Sequence, residues 1–203
     1  MKLYYSTGAC SLAARIALNE AGIAFESILA STKTHRLADG TDFYTINPLG
    51  YVPVLELDDG TRLMEGAAIV QYIADQAPDK HLAPANGTLP RYQLQSLLHF
   101  ISTELHKGFA PLFKPAMPEE AKQMARDGLT HRLGWIDGQL AGKQYLMGDT
   151  FTVADGYLFN VTNWAAIVKL DISSFANLAA FRARVVARPA VLQSMKDEGL
   201  IKA

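Results

Sequence analysis

The chain has 203 residues, 49% of them hydrophobic, and a formal net charge of −1 at pH 7. This composition predicts packed domains rather than disorder, and the balanced charge argues against a nucleic-acid surface. No apolar run reaches the roughly 18 residues needed to cross a bilayer. The opening MKLYYSTGAC lacks the features of a signal peptide, and the single cysteine excludes an internal disulfide, so we expect a cytoplasmic protein.

The first half of the sequence predicts a small mixed sheet. Residues 2–5 form a strand, Ser11 N-caps a helix that ends at Gly22, and residues 25–29 form a second, parallel strand. A polar loop follows. The turn Asp58-Asp59-Gly60 then joins two strands in an antiparallel hairpin.

Helical periodicity dominates from there on. A helix is predicted over Gly66–Gln76, and residues 77–90, with three prolines and a glycine, mark a linker. The sequence beyond predicts helices over residues 94–112, 118–140, 153–168 and 175–187, the last stopped by Pro189. Thr152 and Asp155 have the spacing of a capping box. We therefore expect an α/β domain over residues 1–80 and an all-α domain over residues 87–203.

Cys10 lies between the first predicted strand and the first helix. Unpaired backbone N–H groups and the helix dipole favour a reactive thiolate there, although strong activation needs a further polar partner. The alternative is an inert, buried cysteine. Ala13 stands where a dithiol motif has its second cysteine, so only chemistry with an external thiol remains open.

Two further motifs suit a short peptide ligand. A cis Val52-Pro53 bond would leave the Val52 backbone available to pair with an extended peptide, and an ordinary edge strand is the alternative. Glu65 and Gly66 begin a helix, where N–H groups bind a carboxylate and Glu65 can bind an ammonium group. A glutamate that only complements the helix dipole is the other interpretation.

Three polar residues of the long helix, His99, Thr103 and His106, fall within roughly 60° of each other at α-helical spacing. They lie opposite an apolar stripe that includes Leu94 and Leu112. We interpret them as facing a polar cleft, with a solvated helix face as the alternative. The absence of a compact cluster of metal-ligating residues argues against a metal site.

In this order and spacing, the motifs resemble those of bacterial beta-class glutathione transferases. The resemblance extends from Met1 to the C-terminus through MKLYY, GACSLA, NPLGYVPVLELDDG, EGAAIVQYIAD, TELHKGFAPLF, FTVADGYLF and ARPAV. It implies a thioredoxin-like N-terminal domain, a helical C-terminal bundle and a homodimer. It also implies conjugation of glutathione, as a co-substrate without a cofactor, to small hydrophobic electrophiles in detoxification.

The resemblance assigns roles to individual residues. Cys10 and His106 lie near the glutathione sulfur, with Ser11 as a second candidate for catalysis. Val52, beside a cis Pro53, pairs with the cysteinyl backbone of glutathione. The resemblance also implies that Glu65 and Gly66 contact the γ-glutamyl end of glutathione. Further implied contacts with glutathione are those of Thr103, Glu104, Leu105 and Lys107, and Glu104 would reach the site of the other subunit.

Two positions depart from the family pattern. His35 stands where the family often has lysine, and His99 where it often has asparagine. A histidine at position 35 would make the contact with the glycyl carboxylate of glutathione weaker or more sensitive to pH, unless Arg36 or Lys33 substitutes for it.

The sequence leaves alternatives open for the chemistry of Cys10, the role of three aromatic residues and the activity of the protein. Cys10 either hydrogen-bonds the glutathione thiolate or forms a mixed disulfide with it. Phe109, Phe113 and Trp164 either line the pocket for the electrophile or pack in the core. A non-enzymatic binding protein and a monothiol disulfide reductase are the alternatives to a transferase.

Overall fold

The computed structural model describes residues 1–202, and Ala203 lies outside that range. Two compact units are present. The first contains Met1–Ala83 together with the segment that begins at Arg188, and the second contains Pro84–Ala187. The expected combination of an α/β unit and an all-α unit is confirmed. The boundaries at 80 and 87 remain a prediction, and the residues after Arg188, expected in the helical domain, group with the first unit instead.

A four-stranded sheet forms the centre of the first unit. Its order is β2-β1-β3-β4, with β1 parallel to β2 and antiparallel to β3. Leu3 pairs with Leu55 and both are fully buried on one face, while Tyr4 and Val54 pair and pack with Phe43 on the other. The strands are β1 (Lys2–Tyr5), β2 (Glu26–Leu29), β3 (Val54–Glu56) and β4 (Arg62–Leu63).

Two predicted helices of this unit are present, the first between β1 and β2 and the second after β4. Helix α1 spans Ser11–Ala21 and ends at Gly22, whose φ of 68° is the left-handed conformation that glycine adopts without a steric cost. Helix α2 spans Gly66–Gln76, follows β4 and packs against α1.

The second unit is helical throughout its described elements. The predicted long helix is divided into an α-helical part, a π-helical part (Ile101–His106) and a short continuation. Its stripe is confirmed at Leu94, Leu98, Ile101, Leu105 and Phe109, which are fully buried. The α-helices are α3 (Leu89–Phe100), α4 (Lys107–Phe109), α5 (Glu119–Leu140), α6 (Val153–Ile167) and α7 (Ala176–Val186).

Helix α6 is the centre of this unit, because all its residues from Val153 to Thr162 are buried. The predicted capping box is confirmed at its start. The Asp155 carboxylate accepts hydrogen bonds from the N–H and Oγ1 of Thr152, at 2.7 and 3.0 Å, and from the N–H of Leu146, at 2.8 Å. Asp155 thereby joins the preceding loop to the helix.

The end of the chain returns to the first unit. Pro189, predicted to stop a helix, also occupies the first turn of α8 (Pro189–Asp197), where its missing N–H costs no hydrogen bond. Helix α8 packs on α1. Beyond it, the buried Glu198 carboxylate accepts hydrogen bonds from the Gly8 N–H at 2.9 Å and the Arg15 Nε at 3.0 Å. Burial raises the pKa of Glu198, whereas these two hydrogen bonds oppose the rise.

No helix within residues 1–202 combines the length and the apolar character needed to cross a membrane.

Replacing Asp155 with alanine should lower the free energy of unfolding by about 2 kcal/mol, because two buried N–H groups lose their acceptor. Urea unfolding measures the change. Asp149→Ala is the matched control, since Asp149 is exposed in the same loop, and its effect should stay within about 0.5 kcal/mol. Equal effects of the two substitutions would contradict the capping role.

Candidate functional site

Cys10 meets the backbone of Val52. Cys10 is the N-cap residue of α1, and its Sγ donates a hydrogen bond to the Val52 carbonyl oxygen at 3.0 Å. The Val52-Pro53 peptide bond is cis, as the resemblance implied. The Val52 N–H makes no hydrogen bond with any residue between 1 and 202. The carbonyl, which we expected to be unpaired, has one lone pair in use and a second available.

The start of α1 has fewer unpaired donors than the sequence suggested. The N–H groups of Leu12 and Ala13 bond to the carbonyls of Ala9 and Cys10 at 3.1 and 3.2 Å. The N–H of Ser11 has no such partner within the described chain. The Ser11 N–H is therefore the unpaired amide that lies beside Cys10 at the positive end of the helix.

Ser11 is wrong as the N-cap, and its role as a candidate catalytic residue remains a prediction. It is the first residue inside α1, and its side chain is fully buried. Its hydroxyl accepts from the Ser6 N–H at 3.1 Å and donates to the Ser6 carbonyl at 3.2 Å. Because this hydroxyl both donates to and accepts from the Ser6 backbone, Ser11 stabilises the loop before Cys10.

Glu65 has an unusual backbone at the entry to α2. Its φ of 67° and ψ of 111° lie outside the regions that a residue with a β-carbon favours. Its side chain is exposed and makes no hydrogen bond or ion pair with residues 1–202. The N–H groups of Gly66 and Ala67 are also unpaired within that range. A strained glutamate beside two unpaired amides suits an ammonium and a carboxylate on one ligand.

Three predicted motifs meet in the first unit. Cys10 contacts Val52, Val52 is bonded to Pro53, and a β-carbon built on Gly66 would lie 3.9 Å from the Pro53 Cγ. The start of α1, the loop before β3 and the start of α2 therefore lie next to one another. Together they carry a thiol, unpaired amide N–H groups and a carboxylate.

His35 lies in the loop between β2 and β3 with a left-handed φ of 52°. Its ring packs on Tyr44 at 4.7 Å, and both rings press against Gly50, where a β-carbon would come within 2.8 Å of each. The Nδ1 atom is buried and has no hydrogen-bond partner in the described residues. The backbone and the aromatic contact hold this imidazole in place without an ion pair.

The shared face predicted for His99, Thr103 and His106 depends on α-helical spacing. The segment Ile101–His106 is π-helical, and each π turn carries one more residue than an α turn, so α-helical spacing does not hold across it. His99 and Thr103 are exposed, and Nδ1 of His99 and Oγ1 of Thr103 lie 2.7 and 2.9 Å from backbone carbonyls of Gln95 and His99. His106 instead faces neighbouring aromatic rings.

His106 occupies an aromatic pocket within this unit. Its Nδ1 lies 2.7 Å from the Tyr157 hydroxyl, and the Trp164 ring meets it edge-on at 4.9 Å. Burial lowers the pKa of His106 to about 4, and the charge of Lys107 adds to this effect. The imidazole is therefore neutral at pH 7 and carries one ring proton.

Three further residues of this part of the chain, Leu105, Glu104 and Lys107, are predicted to contact glutathione. Leu105 is fully buried, and its expected contact with glutathione remains a prediction. Glu104 forms an ion pair with Arg132 of α5 in the same chain. Lys107 is exposed.

The aromatic residues considered for the electrophile pocket form one cluster. Phe109 and Phe113 both pack edge-on against Trp164, at 5.8 and 5.7 Å. Phe109 and Trp164 are buried, whereas Phe113 is 45% exposed. Core packing accounts for the first two, and only Phe113 offers a ring to solvent.

Among the residues that the sequence did not point to are Tyr157 and Arg132, which contact His106 and Glu104. Both lie on other helices, and no local signal in the sequence marks them. No group of metal-ligating side chains occurs among the described residues.

Comparison with known proteins identifies relatives of this chain. Residues 7–76 match the glutathione S-transferase N-terminal domain model, and residues 100–189 match the C-terminal domain model. The chain is 44% identical over 200 residues to a glutathione S-transferase of Escherichia coli O157:H7, covering 98% of this chain and 100% of the relative.

Two solved structures are also similar. A beta-class glutathione S-transferase of Sphingomonas chungbukensis is 47% identical, with a TM-score of 0.96, covering 99% of this chain and 100% of the other. A sphingomonad glutathione S-transferase complexed with glutathione is 45% identical, with a TM-score of 0.95 and the same coverage.

Backbone strain at Glu65 predicts an order of stability for two variants. Glu65→Gly and Glu65→Ala both remove the carboxylate, but only glycine adopts the observed φ without a steric cost. The glycine variant should exceed the alanine variant by about 1 kcal/mol in free energy of unfolding, measured by urea unfolding. An alanine variant of equal or greater stability would contradict the strain.

The lowered pKa of His106 predicts a loss of stability in acid. The unfolded chain binds a proton at this residue near pH 6.5 and the folded chain only near pH 4, so stability falls as the pH drops through that window. The loss attributable to His106 should approach about 3 kcal/mol at pH 4.

Urea unfolding of the wild type and His106→Gln between pH 7.5 and 4.5 isolates this effect as their difference. The exposed His131, replaced by glutamine, is the control. A difference between wild type and His106→Gln that does not change with pH would contradict the buried, neutral imidazole.

Proposed function

Since the chain belongs to the glutathione S-transferase family and resembles its bacterial beta class, we propose that it conjugates the glutathione thiol to small hydrophobic electrophiles. The observation that carries this proposal is the surface of the first unit on which Cys10, the Val52 backbone and the start of α2 meet.

The chemistry of that surface matches a cysteinyl peptide. The cysteinyl residue of glutathione has a backbone amide and a thiol a few bonds apart. The Val52 N–H and carbonyl suit the amide, and the Cys10 thiol, 3.0 Å from that carbonyl, suits the sulfur. The Gly66 and Ala67 amides with Glu65 suit the γ-glutamyl carboxylate and ammonium. His35 is proposed for the glycyl carboxylate.

Stabilisation of the sulfur is proposed to come from neutral donors. A thiolate near Cys10 can accept from the Ser11 N–H at the positive end of α1, and from the Cys10 S–H when that proton turns from the Val52 carbonyl to the thiolate. The thiolate then attacks the electrophilic carbon, a bond to the leaving group breaks, and the thiol proton passes to solvent. His106, His99, Thr103, Glu104 and Lys107 remain proposed contributors on the family resemblance.

Cys10 also permits thiol–disulfide exchange. Its thiolate would attack one sulfur of oxidised glutathione, forming a mixed disulfide and releasing one reduced glutathione. Intact mass measurement after incubation with oxidised glutathione tests this second reaction. An adduct on the wild type and none on Cys10→Ala supports it, whereas no adduct on the wild type, or the same mass increase on both proteins, excludes it.

Homodimerisation and a cytoplasmic location belong to the same proposal. Both follow from the family, and sedimentation velocity at micromolar concentration tests the first.

The glutathione site predicts a selective loss of affinity at Glu65. Calorimetric titration should show the Kd for glutathione raised about ten-fold or more in Glu65→Gln, because the ammonium group loses its charged partner. Glu119→Gln, which neutralises a glutamate at the start of α5, should leave Kd unchanged.

Turnover of chlorodinitrobenzene with glutathione separates a transferase from a binding protein. Wild-type turnover above the uncatalysed rate supports the transferase. Tight binding of glutathione without turnover would favour the non-enzymatic alternative, and equal Kd values for both glutamine variants would overturn the assignment of Glu65.

A further inference from the structure

Tyr157 is the residue of α6 that contacts the His106 imidazole through a polar atom. Its hydroxyl oxygen lies 2.7 Å from His106 Nδ1, and its side chain is 3% exposed. The Tyr157 ring also meets the imidazole at nearly a right angle, with the centroids 6.0 Å apart. Because α6 is buried along most of its length, this hydroxyl has a fixed position.

A second ring limits the remaining freedom of the imidazole. Trp164 lies two turns further along α6 and packs against His106 at 4.9 Å and 66°. Trp164 is itself held by Phe109 and Phe113. Within residues 1–202 the imidazole thus has a polar contact to Tyr157, and ring contacts that resist its rotation.

We propose that Tyr157 is a positioning residue for His106: its hydroxyl donates to Nδ1, which fixes the ring orientation and places the imidazole proton on Nε2. The catalytic consequence rests on the proposed function, whereas the tautomer does not. No contact between Tyr157 and substrate is part of this proposal.

The direction of the hydrogen bond follows from the chemistry of the two groups. Burial keeps the imidazole neutral at pH 7, so one ring nitrogen is a basic acceptor and the other carries the proton. A phenol is a stronger acid than a neutral imidazole N–H. The bond in which the phenol donates to the basic nitrogen is therefore the more favourable of the two arrangements.

This arrangement decides what His106 can do. With Nδ1 occupied by the hydroxyl, the Nε2–H group is the donor that remains for another molecule. A donor stabilises a thiolate or another developing anion, whereas an unprotonated Nε2 would repel it. Tyr157 would therefore determine whether the neutral imidazole favours or opposes negative charge.

Nitrogen NMR of protein labelled at histidine tests the tautomer without any turnover. In the wild type at pH 7, His106 should show a protonated Nε2 and an unprotonated Nδ1. In Tyr157→Phe the two tautomers should mix. Because a donor to Nδ1 stabilises the neutral ring, its loss should also raise the pKa of His106. A protonated Nδ1 in the wild type, or the same tautomer in both proteins, would overturn the proposal.

Kinetics test the positioning role in the transferase reaction. Tyr157→Phe should lower kcat about five-fold and leave KM for glutathione unchanged. Tyr145→Phe is the matched control, because Tyr145 is also buried in the helical unit but lies outside the proposed site. It should not alter kcat. Equal losses in the two variants would indicate a general effect of removing a buried hydroxyl and would overturn the proposal.

A double-mutant cycle shows whether Tyr157 acts through His106. In a His106→Gln background, the further change Tyr157→Phe should have no effect on kcat. Additive losses would overturn the proposal. If the wild type lacks turnover altogether, the proposed function fails, and the NMR result still decides the hydrogen bond.

Discussion

The hydrogen bond from the Cys10 thiol to the Val52 carbonyl is the contact on which the candidate site depends. It connects the first turn of one helix to the segment before β3, and the cis proline of that segment lies beside the start of α2. Moving any one of these three segments would separate the thiol from the peptide groups beside it. Under the proposed function, the thiol and the Val52 backbone together bind the cysteinyl residue of glutathione.

The donors proposed in the two units are dipoles rather than full charges. In the first unit the Ser11 N–H can donate without carrying a net charge, and in the second unit the neutral His106 imidazole can do the same. Such donors need no counter-ion. The helical unit achieves this at His106 by burial among Tyr157 and Trp164, at the cost of stability in acid.

Local signals were enough to predict much of the fold. The limits of α2, the end of α1 at Gly22 and the capping box of Asp155 each depend on residues close in sequence. The motifs at Cys10, Val52 and Glu65 could be recognised separately for the same reason. Their convergence, the burial of the Ser11 hydroxyl and the partners of His106 depend on distant residues. The π-helical segment also escaped prediction, because its apolar spacing fits an α-helix.

The first unit is discontinuous in sequence, since Glu198 and α8 complete the packing around α1 and the loop at Gly8. During synthesis, Gly8 emerges from the ribosome long before Glu198, whose carboxylate holds its loop. Closing such a long loop has an entropic cost and slows folding. A nascent chain would therefore carry an incomplete loop beside Cys10 until Glu198 and α8 have been translated.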